Sequence, residues 1–301
     1  MTPEQNSFAR RYRLYLRCMT FLTAATPRRW HVLWTKTLGR WVNPYGLRAG
    51  KIKGALASVL PAARVDSVWL EWVDSHVRFT QDFLDYDNLD LSWLDRNVIV
   101  EQVQLLADLR KSGGLLLTYH SHHQNTMCCA LGLSGCRVSA LAAAPEDSPL
   151  FSFIGRWATQ VNAGSEQHFQ GGRYLFLNNL RSLSREMRHV LTKKEVLVCL
   201  CDFHKPSVRS VFGRVLGRCI APPTGAIELA LRAGVPIYVA MFAPFQDKLH
   251  LQLNKLESDN GLSEIIGEYF AFLESCVLAN PSCWQGWDWL SDLPFSEAES
   301  S

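Results

Sequence analysis

Between Gly113 and Asn125 the chain reads Gly-Gly-Leu-Leu-Leu-Thr-Tyr-His-Ser-His-His-Gln-Asn, an apolar run of strand length that stops abruptly in a polar cluster. Leu115 to Thr118, framed by Gly113 and Gly114 on one side and three histidines on the other, fit a fully buried strand of the kind found in helix-covered sheets. The apolar stretch Thr126 to Leu133 then starts a helix. Open α/β sheets bind ligands where strands end and helices begin, so His120 lies where chemistry is expected. A histidine satisfied by hydrogen bonds at a strand end is the competing reading.

The rest of the chain supports an α/β class. Val98 to Val103, Arg137 to Ala143, Glu195 to Cys201, Val235 to Phe242 and Lys248 to Leu256 are further strand candidates. Between them lie helical stretches at Leu105 to Lys111, Pro149 to Val161, Leu175 to Leu191, Thr224 to Ala233 and Ser263 to Leu278. Strands separated by helices imply a mainly parallel or mixed sheet with helices on its faces. Val65 to Leu84 carries apolar positions at helical spacing and reads as core. With 301 residues, 48% of them apolar and 20% charged, the chain has the size and composition of one globular α/β domain bearing an extension.

That extension, residues 1–60, precedes a domain over 61–301. Residues 1–53 hold eleven Lys or Arg against the single acid Glu4, a net charge of +10 within a chain whose total is +3. Phe8, Tyr12, Tyr15, Phe21, Trp30, Trp34 and Trp41 are interleaved with those charges. Basic, aromatic-rich, helix-compatible sequence reads as a membrane-surface element; a nucleic-acid-binding arm and a solvated helix face are the alternatives. Cys18 to Pro27, its longest uncharged stretch, is too short to span a bilayer core, which needs about 20 residues. No secretory signal is evident. The nine cysteines are scattered, several within apolar runs, as in reduced buried thiols. A protein peripheral to the cytoplasmic face of the inner membrane, with no nucleic-acid partner, is expected.

Val196 to Asp202 forms a second apolar strand with a polar end, followed by Phe203, His204 and Lys205. Val211-Phe212-Gly213-Arg214 leads through Arg218 to Thr224-Gly225-Ala226, and Ala233-Gly234-Val235-Pro236-Ile237 enters another strand. In this order the motifs resemble the lysophospholipid acyltransferase superfamily, specifically the late acyltransferases of lipid A biosynthesis. The resemblance runs from about Gly54 to Leu290, including the Pro281 to Trp289 stretch. It implies a glycerol-3-phosphate-acyltransferase-like mixed sheet flanked by helices. It also implies acyl transfer, without a cofactor, from an acyl carrier protein or coenzyme A thioester to a hydroxyl or amine of a lipid or small-molecule acceptor.

In that chemistry His120 is the general base, a task suited to a side chain that titrates near neutrality. The family places an Asp or Glu five positions later, where this chain has Asn125. Asparagine orients an imidazole without stabilising its cation. The His120–Asn125 pair with an easily activated acceptor is one resolution. A carboxylate from elsewhere, Asp202 or Glu146, is a second. A catalytically silent acyl-binding or scaffold homologue is the third. The expected site comprises His120, Asn125 as its orienter and Asp202 at the site edge. Arg173, Arg214 and Arg218 are candidate phosphate contacts. Thr224 and Gly225 open a helix and count among the substrate-binding candidates, with Thr224 expected as the N-cap and an anion contact there as the alternative. His122, His123, Cys128 and Cys129 match no paired zinc spacing, so no metal is expected. The C-terminal sequence and Asn125 favour a specialised acceptor, such as a secondary metabolite or amino lipid, over lipid A.

Overall fold

The computed structural model describes residues 3–26, 44–143, 161–177, 180–206, 210–257 and 261–295, together with 30, 33, 34, 37, 40–42 and 159. Among the described residues nine strands are interspersed with helices: β1 (Val98–Val100), β2 (Gly114–Thr118), β3 (Val138–Ala142), β4 (Tyr174–Phe176), β5 (Val196–Leu200), β6 (Gly213–Val215), β7 (Arg218–Ile220), β8 (Ile237–Phe245) and β9 (Lys248–Leu256). Seven build one sheet in the order β1-β9-β8-β2-β5-β3-β4, and β6 and β7 form a separate hairpin. Within the seven-stranded sheet the pairings of β2 with β5 and β8, of β3 with β4 and β5, and of β1 with β9 are parallel, and β8 and β9 pair antiparallel. The chain is therefore an α/β protein with a mostly parallel, mixed sheet.

α1 (Pro3–Ala25) stands outside the sheet layers, and the helices that follow cover both faces: α2 (Ala49–Ala57), α3 (Ala62–Asp85), α4 (Leu91–Asn97), α5 (Val103–Ser112), α6 (Gln124–Leu133), α7 (Leu180–Thr192), α8 (Gly225–Ala233) and α9 (Leu262–Ala279). β2 shows why the double cover is needed. Leu115 and Leu117 belong to the core shared with α2, α3, α7, α8 and α9, whereas Leu116 belongs to the opposite core with α5 and α6. Its two leading glycines have a steric reason. Both take positive φ, and a Cβ would lie 2.2 Å from the Lys194 carbonyl carbon at Gly113 and 2.4 Å from the Pro236 oxygen at Gly114. Only glycine lets β2 start in the slot between the lead-ins of β5 and β8.

α1 has two unlike sides. Phe8, Tyr12, Tyr15 and Met19 form a buried stripe against Val77 of α3, while Arg10, Leu14, Arg17 and Phe21 are exposed. Each set steps by three or four residues, the helical repeat. Three of the seven aromatics named in the basic segment, Phe8, Tyr12 and Tyr15, are thus core. The boundary at residue 60 also falls inside the core, since Ile52, Ala55, Leu56 and Leu60 pack in the same cluster as β2 and β5.

Other local departures have simple causes. Tyr174 to Phe176 pairs with β3 instead of continuing a helix from Leu175, because three residues are too few to display strand alternation. The hairpin of β6 and β7 turns at Leu216 and Gly217, both at positive φ (49° and 73°), the primed turn that matches strand twist. Val103 starts α5 rather than ending a strand. Most of the helix expected over 149–161 lies outside the described residues, as does Glu146.

Candidate active site

β2 and β5 are parallel neighbours in a register that pairs Thr118 with Leu200. The pairing runs one residue further, with Cys201 N–H donating to the Thr118 carbonyl at 3.1 Å. His120 and Asp202, each two residues past its strand, therefore emerge side by side at the carboxyl edge. From there the connections diverge. β2 proceeds through α6 to β3 on one side of the sheet order, and β5 leads through α8 to β8 on the other, with α6 and α8 in opposite cores. This is the switch-point crevice where α/β sheets place their ligands.

The two side chains are joined. His120 Nδ1 lies 2.6 Å from Asp202 Oδ1, and the His120 backbone N–H points at both carboxylate oxygens at 3.0 Å. Asp202 is completely buried, whereas the imidazole keeps 27% of its surface exposed. A buried carboxylate needs donors to offset its desolvation, and a third arrives from far along the chain. Trp284 Nε1–H donates to Oδ2 at 2.8 Å.

A C-terminal strap brings this indole into place. Pro281–Cys283 forms a 3-10 turn, Trp284 bridges to Ser121, and Gln285 N–H donates to the His120 carbonyl at 2.8 Å. Gln285 Nε2 donates to the Ser121 carbonyl at 3.0 Å, and Trp72 Nε1–H to the Trp284 carbonyl at 2.7 Å. Trp289 Nε1–H reaches the Asp202 carbonyl at 3.3 Å while its ring meets the imidazole edge-on, centroids 5.4 Å apart. Phe203 meets it edge-on from a third direction. With Nδ1 engaged by Asp202, Nε2 of the neutral ring is an acceptor, and among the described residues it makes no hydrogen bond. The constellation is a carboxylate-oriented imidazole with its basic nitrogen available.

The sequence-derived candidates distribute unevenly around this centre. Asn125 is half-buried in the first turn of α6 and makes no hydrogen bond to His120. It is not the orienter: Asp202 occupies Nδ1 through the strand register. Arg173 stands just before β4, at the amino edge of the sheet, and pairs with Glu186 of α7 at 2.7 Å. A strand length separates it from the crevice, which rules it out as a contact there. Arg214 is exposed on β6. Arg218 donates to the Leu293 carbonyl at 3.3 Å and stacks over Phe295, which ties the hairpin to the C-terminal strap. Gly225 opens α8 beside the segment that follows Asp202, where Lys205 N–H donates to the Ala221 carbonyl at 2.7 Å. Thr224 does not cap that helix; its hydroxyl donates to Glu228 Oε1 at 2.9 Å. Trp284 and Trp289 escape a reading based on strand ends. The clustering of tryptophans after Pro281 is the only local sign of them.

His122 and His123 turn inward. The His122 ring meets Trp72 edge-on at 4.8 Å and lies 5.5 Å from His76. Burial, then the neighbouring His76 and His123, hold its titration well below the ordinary imidazole range. His76, enclosed by the rings of Tyr12, Tyr15, Tyr45 and Trp72, is lowered by burial to about 3. Cys128 and Cys129 are buried in α6, and among the described residues no three His, Cys, Asp or Glu side chains converge as a metal site. All nine cysteines are free thiols.

No protein-family model matches the chain, and no curated protein matches it.

Proposed function

We propose that this protein transfers an acyl group from a thioester to a hydroxyl or amine, with His120 as general base and Asp202 as the group that holds and stabilises it. The observation that carries the reading is the 2.6 Å contact between His120 Nδ1 and fully buried Asp202 at the crevice between β2 and β5. Nε2 removes the acceptor's proton as its oxygen or nitrogen attacks the thioester carbonyl carbon. Collapse of the tetrahedral intermediate breaks the carbon–sulfur bond, and the imidazolium returns the proton to the departing thiolate. Asp202 favours the transient imidazolium, the contribution that Asn125 lacks. The mixed sheet and the order of motifs agree with an acyltransferase-like fold, and the donor class is an acyl carrier protein or coenzyme A thioester.

Peripheral attachment to a membrane surface fits the same reading. No described helix is long and apolar enough to cross a membrane. Phe21 and Trp41 leave 70% and 77% of their surface exposed, and Arg10, Arg13 and Arg17 are exposed on α1. Such a surface suits anionic headgroups.

Mass spectrometry of the purified chain incubated with acyl thioesters and panels of amine and hydroxyl acceptors tests the function. Product formation or thioester hydrolysis that disappears in His120→Ala supports it. Acyl binding without turnover points instead to a catalytically silent acyl-binding protein.

A further inference from the structure

A second polar centre lies on the far side of β8. Strand β9 pairs with both β8 and β1, which sets His250 opposite Ala243 on one side and Ile99 on the other. Glu101 follows directly after β1, and its carboxylate receives His250 Nδ1 at 3.0 Å and Gln252 Nε2 at 3.0 and 3.1 Å. These side chains line a cavity of about 440 Å³ between the carboxyl end of β8 and the last turns of α9. Met241, Pro244, Phe245 and Ala279 supply its apolar wall. Asn280 closes one end and donates to the Pro244 carbonyl at 2.8 Å, and five residues later the same strap reaches the His120 carbonyl.

The polar group in this groove is built to one polarity. Hydrogen bonds from His250 and Gln252 hold the Glu101 carboxyl below its ordinary range. The ionised carboxylate fixes the proton of a neutral His250 on Nδ1, so Nε2 is left as an acceptor. Among the described residues nothing donates to that nitrogen, and the His250 side chain keeps 16% of its surface exposed. The Phe245 ring, itself 57% exposed, packs against the imidazole at a 58° tilt with centroids 4.8 Å apart. An oriented acceptor beside a negative charge, flanked by apolar surface, matches a hydrogen-bond donor attached to a hydrocarbon body.

We infer that the groove bounded by β8, β9 and α9 is a second binding site, taking an amphiphile with a primary amine or hydroxyl head on His250 Nε2 and its apolar body against Phe245 and Met241. An amine head gains additionally from Glu101, whereas a carboxylate head meets a lone pair and a like charge. The site requires no step of acyl transfer, so failure of one proposal leaves the other standing.

Calorimetric titration of the full chain at pH 7.5 with octylamine, 1-octanol and octanoate separates head-group recognition from hydrocarbon burial. Octylamine and octanol are expected to bind, and His250→Phe, which keeps a planar ring, is expected to weaken both about five- to tenfold, the size of one net hydrogen bond. Octanoate is expected to bind the native chain no more tightly than this variant. Glu101→Gln preserves side-chain volume and is expected to abolish the preference for amine over alcohol, which keeps the test open if His250→Phe fails to fold. Equal affinity for all three probes, insensitivity to both substitutions, or absence of binding overturns the inference.

Discussion

Substitution of Asp202 by asparagine changes almost nothing in shape and one thing in chemistry. The carboxylate oxygens receive His120 N–H at 3.0 Å, His120 Nδ1 at 2.6 Å and Trp284 Nε1–H at 2.8 Å. An amide has one accepting and one donating head. Turned toward Trp284, its NH2 group opposes an indole N–H that has no other form, inside a fully buried site. Turned toward His120, it donates to Nδ1, and the imidazole adapts by moving its proton to Nε2. The second arrangement costs less, so Asp202→Asn is expected to fold, with a stability loss of about 1–3 kcal/mol from exchanging a charged acceptor for a neutral one. Nε2 then becomes a donor and cannot act as a base. In a serine protease triad the equivalent change costs roughly 10⁴ in rate, or about 5.5 kcal/mol of transition-state stabilisation. Nitrogen-15 NMR of the imidazole reports which nitrogen carries the proton, and turnover of an acyl thioester reports the loss. Asn125→Ala is expected to change the turnover less than threefold. The reasoning fails if Asp202→Asn keeps the proton on Nδ1, if its turnover stays within tenfold of the native rate, or if Asn125→Ala proves the more damaging change.

Gly213→Ala is expected to cost about 1–3 kcal/mol in urea unfolding, because the new Cβ would lie 2.0 Å from the Phe270 ring; a neutral result would mean that the hairpin does not pack tightly on α9. Acidification is expected to destabilise the protein through His76, whose folded value of about 3 lies below the unfolded 6.5. The unfolded chain then binds the extra proton. Stability is full above the unfolded value and falls toward acid at up to about 1.4 kcal/mol per pH unit, a loss of about 1.4 kcal/mol between pH 7.5 and 5.5. Parallel urea titrations of His76→Phe should show a shallower pH dependence, with His122 contributing the remainder in the same direction. Sedimentation with vesicles containing anionic lipid should capture the protein and lose it in Phe21→Glu/Trp41→Glu, while equal capture of the variant would remove membrane docking through these side chains.

Local pattern reaches a definite distance into this protein. The apolar runs of β2 and β5, the glycines before β2 and the polar residues after both strands are visible along the chain, and so is an α/β alternation, because burial on two faces leaves an uninterrupted apolar signature. His120 and Asp202 could each be noticed as strand-end residues. Their contact could not: it depends on which strands are neighbours and in what register, a matter of packing between segments 82 residues apart. A fixed spacing from His120 drew attention to Asn125, which helix α6 carries out of contact. Arg173 was placed by its chemistry, but the direction of β4 puts it at the opposite edge. The aromatic residues of the N-terminal segment looked uniform in composition, and only docking of α1 against α3 separated the buried Tyr12 and Tyr15 from the exposed Phe21. Residue type and local periodicity thus determined the elements and the groups able to do chemistry. Strand order, parallel register and the return of Trp284 from the C-terminal strap decided which of those groups meet, because desolvated hydrogen bonds form only between side chains that the whole fold brings into reach.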